Sequence, residues 1–158
     1  MKQNTKLYFV ITIIAVAGIA LDLITKNLAS GVTMPLISGV ISILFTWNTG
    51  AGFSIFANHA LFLTVFTGIL IAGIVALIVF YKPKHPLFAV GIALVLSGAV
   101  GNFIDRVVFG AVRDFFCLEF ISFPIFNVAD VLLTVGAVLV CIWLVFFSGK
   151  KEKQKNGN

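Results

Sequence analysis

Residues 60–81 read ALFLTVFTGILIAGIVALIVFY, a stretch with no charged side chain anywhere in it. A hydrocarbon core about 30 Å thick is crossed by ~20 helical residues, so this run is a membrane span by length and by content. Three further runs meet the same condition: Leu7 to Ile24, Leu87 to Ile104 and Val128 to Phe147. Polar side chains that matter intrude only near one end of each, at Asp22, Asn102 and Asp130.

The composition agrees. Apolar residues make up 60% of the chain and charged ones 11%, and the mean hydropathy is +1.13. Soluble domains hold about 45–50% and 25% respectively, so lipid rather than water is the main solvent. The expected fold class is membrane, mainly α, a bundle of four transmembrane helices. Residues 1–148 are expected to form one membrane-embedded domain with helices at about 7–24, 60–81, 87–104 and 128–147. Residues 149–158 (GKKEKQKNGN) read as a basic, disordered tail. The first run also has features of a cleaved leader, with Lys2 and Lys6 ahead of it and Ala15 and Ala17 at small-residue spacing. It continues apolar to Ile24 and enters no disulfide-type mature sequence, so it is expected to be retained.

Basic residues set the orientation. Lys2, Lys6, Lys82, Lys84, Lys150, Lys151, Lys153 and Lys155 fall on one side of the four spans, and Lys26, Arg106 and Arg113 on the other. Positive residues mark the cytoplasmic side, so both termini are expected there. The net charge of +5 then reflects topology and attraction to anionic lipid, with no call for nucleic acid. Cys117 and Cys141 lie in a connection and deep in the fourth span, too far apart for a disulfide.

The connections differ in kind. KPKHP (82–86) reads as a tight basic turn. Thr25 to His59 and Asp105 to Asn127 are apolar for loops and suit the membrane interface. Within the first, Ile41 to Trp47 and Ala51 to Phe56 look like short strands around a turn at Asn48-Thr49-Gly50.

Of the acidic residues, Asp22, Asp105, Asp114, Glu119 and Asp130 fall on the outer side; Glu152 alone does not. Simple structural roles exist for each. Asp22 and Lys26 are four apart and share a helix face, Asp105-Arg106 and Arg113-Asp114 are charge-balanced neighbours, and Asp130 suits a helix N-terminus. Their concentration at one boundary still points to chemistry, because ionisable groups at membrane depth are costly. Transport is disfavoured, since polar groups do not run through the midplane. A serine triad or a zinc site needs histidines, and His59 and His85 have no ligand spacing; nothing local activates Cys117. Carboxylates and water remain. Two aspartates sharing one proton can activate water with the ionised member and polarise a carbonyl with the protonated one. The residues alone do not choose the pair.

Four segments together resemble the lipoprotein signal peptidase (signal peptidase II) family. They are Asp22-Leu23-Ile24-Thr25-Lys26, Trp47 to Ser54 (WNTGAGFS), Gly101 to Arg106 (GNFIDR) continuing to Val112-Arg113-Asp114-Phe115, and Phe123 to Asp130 (FPIFNVAD). The resemblance implies an aspartyl endopeptidase that removes the signal peptide of bacterial prolipoproteins, cutting before a cysteine that carries diacylglycerol. It implies a four-helix bundle with a small extracytoplasmic β-cradle, formed here by the first outer connection. Its catalytic pair falls on Asp114 and Asp130. Its other site positions, which shape the pocket or bind substrate, fall on Asp22, Lys26, Asn48, Gly50, Asn102, Asp105, Arg106 and Asn127. No cofactor and no metal is implied. The expected partners are diacylglyceryl-modified prolipoproteins and membrane lipid, the expected state is a monomer, and the expected location is the bacterial cytoplasmic membrane with the site at the outer leaflet. The chain departs from the family pattern at Leu23, Gly52 and Glu119. A non-enzymatic membrane scaffold or lipid-binding protein is the runner-up, and a small proton-linked transporter the third reading.

Overall fold

The computed structural model describes residues 2–50 and 59–148. Four helices, α1 (Lys2–Ala29), α2 (Ala60–Tyr81), α3 (Pro86–Phe109) and α4 (Val128–Phe146), are joined by connections that carry three strands, β1 (Thr33–Ile37), β2 (Ile41–Asn48) and β3 (Val112–Leu118). All four helices are long and apolar enough to cross a membrane. The strand expected at Ala51 to Phe56, the substitution at Gly52 and the basic tail lie outside the described residues.

Burial is inverted relative to a water-soluble domain. Phe80 is 82% exposed and Leu61 79%, whereas Asp22, Lys26, Asp105 and Asn127 are 0% exposed. Apolar surface facing outward suits lipid, and charges hidden inside suit a bundle that satisfies its polar groups internally. α1 continues past Ile24 to Ala29 and α3 past Ile104 to Phe109. The charges of Lys26 and Asp105 that would have ended these spans are paired inside the bundle, so the helices need not stop to reach water.

α3 is the central helix and packs against α1, α2, α4 and β3. Its contact with α4 is close because Gly136 has no side chain. A Cβ there would come within 2.7 Å of the Gly91 carbonyl oxygen and the Val95 nitrogen, and small residues at such crossings replace the missing hydrophobic drive between helices in lipid. One half of the bundle is closed by Ile11, Ile74, Ile78, Ala89, Ile92 and Ala93. At that end α2 passes to α3 through Lys82, held at φ 52°, with Pro86 opening α3 and His85 accepting the Leu87 N–H at 3.3 Å. The tight turn expected from KPKHP is therefore present.

The other end carries an antiparallel sheet of order β1-β2-β3. The strand expected at Ile41 to Trp47 is β2, the central one. Its partners are β1 and, from the second connection, β3, so the cradle draws on both long connections and not on the first alone. β3 is unreadable as a strand from the sequence because Val112, Arg113, Asp114 and Phe115 are all buried, which erases the alternation that betrays a half-exposed strand. β1 is exposed throughout and contains Pro35, which suits an edge. A register shift between Ile43 and Thr46 places Thr46 opposite Asp114 and Asn48 opposite Val112. At the far end of the sheet Glu119, one of the three departures, accepts the Gly39 N–H at 2.6 Å and donates its own N–H to the Val40 carbonyl.

Candidate active site

The site begins with the local chemistry of Asn127-Val128-Ala129-Asp130. Asn127 caps α4, its side-chain oxygen accepting the Asp130 N–H at 3.0 Å. Asp130 returns the contact, its Oδ2 accepting the Asn127 N–H at 3.2 Å. This reciprocal capping box satisfies two helix N-terminal donors and locks the Asp130 carboxyl on a rigid element. Its other oxygen, Oδ1, accepts Asn102 Nδ2 from α3 at 2.8 Å.

Asp114 arrives from a different direction. Gly110, at φ 71°, ends α3 in the left-handed conformation and turns the chain into β3. Three residues on, the Arg113 guanidinium meets Asp105, and Asp114 then sits opposite Thr46. Asn48 Nδ2 donates to Asp114 Oδ2 at 2.8 Å, and Asn127 Nδ2 donates to Asp114 Oδ1 at 2.6 Å. Asn127 therefore touches both carboxyls, through its amide on one and its backbone on the other.

Beneath the pair lies a buried ion network. Lys26 Nζ is 2.7 Å from Asp22 Oδ2, 3.3 Å from Asp105 Oδ2 and 2.9 Å from Asn102 Oδ1. Asp105 also binds Arg113 at 2.7 Å, and Asp22 Oδ1 accepts the Ala129 N–H of α4 at 2.8 Å. Gly101 permits this approach, since a Cβ there would collide with the Asp22 carboxylate. The Asp22–Lys26 pair expected from spacing is real. The neighbour pairs are not: Asp105 engages Lys26 and Arg113, not Arg106, and Arg106 instead donates to the Gly50 carbonyl at 3.3 Å.

Charge balance follows from this network. Asp22, Asp105, Asp114 and Asp130 face Lys26, Arg106 and Arg113, so the cluster reaches neutrality when it holds one proton. Asp114 is the natural holder. It is 1% exposed, and burial, reinforced by the negative charge of Asp130, pushes its carboxyl up to about 7; the hydrogen bonds from Asn48 and Asn127 and the charge of Lys26 pull the other way.

Both aspartates open onto a cavity of about 770 Å³. Asn48, Gly50, Asn102 and Arg106 supply its other polar wall, and Trp47, Phe123, Ile125, Val131 and Val135 contribute apolar surface. Of the residues expected at the site, Asp22, Lys26, Asp105 and Asn127 do not line the cavity but lie buried behind it. Arg113 and Asn27 are additions that the sequence reading does not supply. The signal for Arg113 is its place beside Asp114, which reads as local charge balance. Among the described residues no group of His, Cys, Asp or Glu is arranged to hold a metal ion.

Comparison with known proteins gives the family and the fold. The family model for signal peptidase (SPase) II matches residues 14–146. The chain is 37% identical to the lipoprotein signal peptidase of Enterococcus faecalis, across 97% of this chain and 98% of that one. It is 39% identical to that of Bacillus subtilis, with 94% and 99% covered. A solved bacterial membrane enzyme superimposes with a TM-score of 0.83 at 32% identity, covering 90% of this chain and 91% of its own.

Proposed function

The chain belongs to the signal peptidase II family, a family of membrane peptidases that cleave lipoprotein signal peptides, and from that premise we propose that Asp114 and Asp130 perform the hydrolysis. The observation that carries the assignment is that Asn127, buried behind the cavity, holds both carboxyls where they open onto it. Asp130, the less buried of the two, takes a proton from water. Asp114 keeps its proton near neutral pH and donates it as a hydrogen bond to the scissile carbonyl, the division of labour that an aspartate pair needs. Arg106 faces the same space as a fixed cation for developing negative charge.

The substrate is a prolipoprotein whose cysteine carries diacylglycerol, cut just before that cysteine. A cavity with one polar wall and one apolar wall supports this, since peptide and lipid must be held together. Exposed Lys82 and Lys84 lie at the bundle end remote from the sheet, whereas Lys26 and Arg113 are consumed in ion pairs at the sheet end. That asymmetry supports cytoplasmic termini and a site at the outer leaflet. Purified protein is expected to cleave a diacylglyceryl-modified precursor, with mass spectrometry locating the new N-terminus at the lipidated cysteine. Equal cleavage of the unmodified precursor would remove the lipid requirement.

The proton on Asp114 sets a pH dependence. An acid whose folded pKa is raised to about 7 is protonated below that pH and ionised above it. kcat is therefore expected to fall as pH rises through about 7. Asn48→Ala deletes a donor that favours the ionised form, so in that variant the falling limb moves to higher pH, by roughly one unit. A limb that stays in place or moves down would show that Asp114 is not the group being titrated.

A further inference from the structure

We infer that Arg113 is a positioning residue for the reaction, joining three helices to the strand that carries Asp114. The inference rests on the reading of Asp114 and Asp130 as the reacting pair. Arg113 is 5% exposed and every polar part of it is engaged. Its Nη2 meets Asp105 Oδ1 at 2.7 Å, and its Nε lies 3.3 and 3.2 Å from the two Asp105 oxygens. Its Nη1 donates to Asn27 Oδ1 at the end of α1, and its guanidinium lies 4.9 Å from the centre of the Phe109 ring. The backbone is held as firmly: the Arg113 N–H donates to Asp105 Oδ2 at 3.0 Å, and the Arg113 carbonyl accepts Asn127 Nδ2 at 3.3 Å.

Two consequences follow for the next residue. The edge of β3 that faces the helices is sewn to α3 through Asp105 and to the α4 cap through Asn127, so Asp114 cannot shift along or twist away from the pair. The Asn127 amide that anchors on the Arg113 carbonyl is also the amide that holds Asp114 Oδ1 at 2.6 Å. Two amide hydrogens serve the Asn102, Arg113 and Asp114 oxygens together. Moving the Arg113 backbone would redistribute them. A planar fork bound on Asp105 and stacked on Phe109 is a role that lysine fills only in part, because an ammonium is a point charge without the fork.

The test compares Arg113→Lys and Arg113→Met with wild type and Asp114→Asn, on diacylglyceryl-modified precursor in detergent, with the folded fraction of each measured by circular dichroism. A misplacement of about 1 Å costs roughly 100-fold in rate. kcat is accordingly expected to fall by about 100-fold in Arg113→Met and about 10-fold in Arg113→Lys, with KM within about twofold of wild type in both. If Asp114→Asn is inactive while both Arg113 variants keep kcat within about twofold, the inference about Arg113 fails and the aspartate pair stands. A kcat loss matched in both variants by an equal loss of folded protein, or complete failure of both to fold, would make Arg113 a structural residue only and overturn the inference. Activity in Asp114→Asn would instead remove the reading on which it rests.

Discussion

Asp114→Asn and Asp130→Asn are each expected to lower kcat by roughly 10³ to 10⁴-fold, and the double variant is expected to be little worse than either single one. The reason is that in the proposed mechanism the two carboxyls act as one unit. On that proposal, without the Asp114 proton the scissile carbonyl is not polarised, and without the Asp130 carboxylate the water keeps its proton. The asparagine substitutions preserve shape, and the Asp130→Asn variant retains a side-chain oxygen able to accept the Asn127 N–H that now goes to Oδ2. Folding should therefore survive, which circular dichroism can check alongside the assay. Residual activity within about tenfold of wild type in either variant would exclude that residue from the chemistry.

Lys26→Met is expected to be the most destabilising single change in the described part of the chain. Lys26 is wholly buried and stands between Asp22, Asp105 and Asn102. Deleting its charge leaves the Asp22 carboxylate buried without a cation and leaves Asp105 with Arg113 alone, and breaking a buried pair in this way costs about 3–5 kcal/mol. Against a total stability of about 5–15 kcal/mol that is a large share, and Tm is expected to drop by roughly 10 °C or more. The loss reaches the site because Asp22 also holds the Ala129 N–H in the first turn of α4, next to Asp130. Combining Lys26→Met with Asp22→Asn should recover part of the loss, since one stranded charge is then removed with its partner. A Lys26→Met protein that melts within a degree or two of wild type would refute the account of the network.

These two sets of variants separate the layers of the site. Asp114 and Asp130 face the cavity, while Lys26, Asp22 and Asp105 lie behind it. Assay and melting curve should therefore respond to different residues. The family resemblance gathers all of them under one heading, and only their burial separates those that face the cavity from those that lie behind it.

Much of the fold is legible without any coordinates. Runs of apolar residues at bilayer length have few alternatives in lipid, because each backbone N–H must be satisfied within its own segment, and so α2 runs from Ala60 to Tyr81 as its composition requires. The α4 cap is legible in part: Asp130 suits a helix N-terminus, and Asn-Val-Ala-Asp forms the capping box within a single turn. The Asp22–Lys26 pair is legible because helical spacing of four is local.

What the linear order leaves open is everything that joins segments far apart in the chain. Neither β1 nor β3 carries the alternation of a strand, one being exposed throughout and the other buried along the residues that matter. Arg113 looks like a neighbour balancing Asp114, yet its guanidinium turns back across the end of α3 to Asp105 and over to Asn27 of α1. Spans, their number and the identity of the acidic residues at one boundary were thus determined by the sequence itself, through local rules of length, period and capping. Which acids face a cavity, which are neutralised behind it, and that one asparagine holds the carboxyls of both Asp114 and Asp130 were decided only by the tertiary structure, because electrostatic and hydrogen-bond partners are chosen by distance in space.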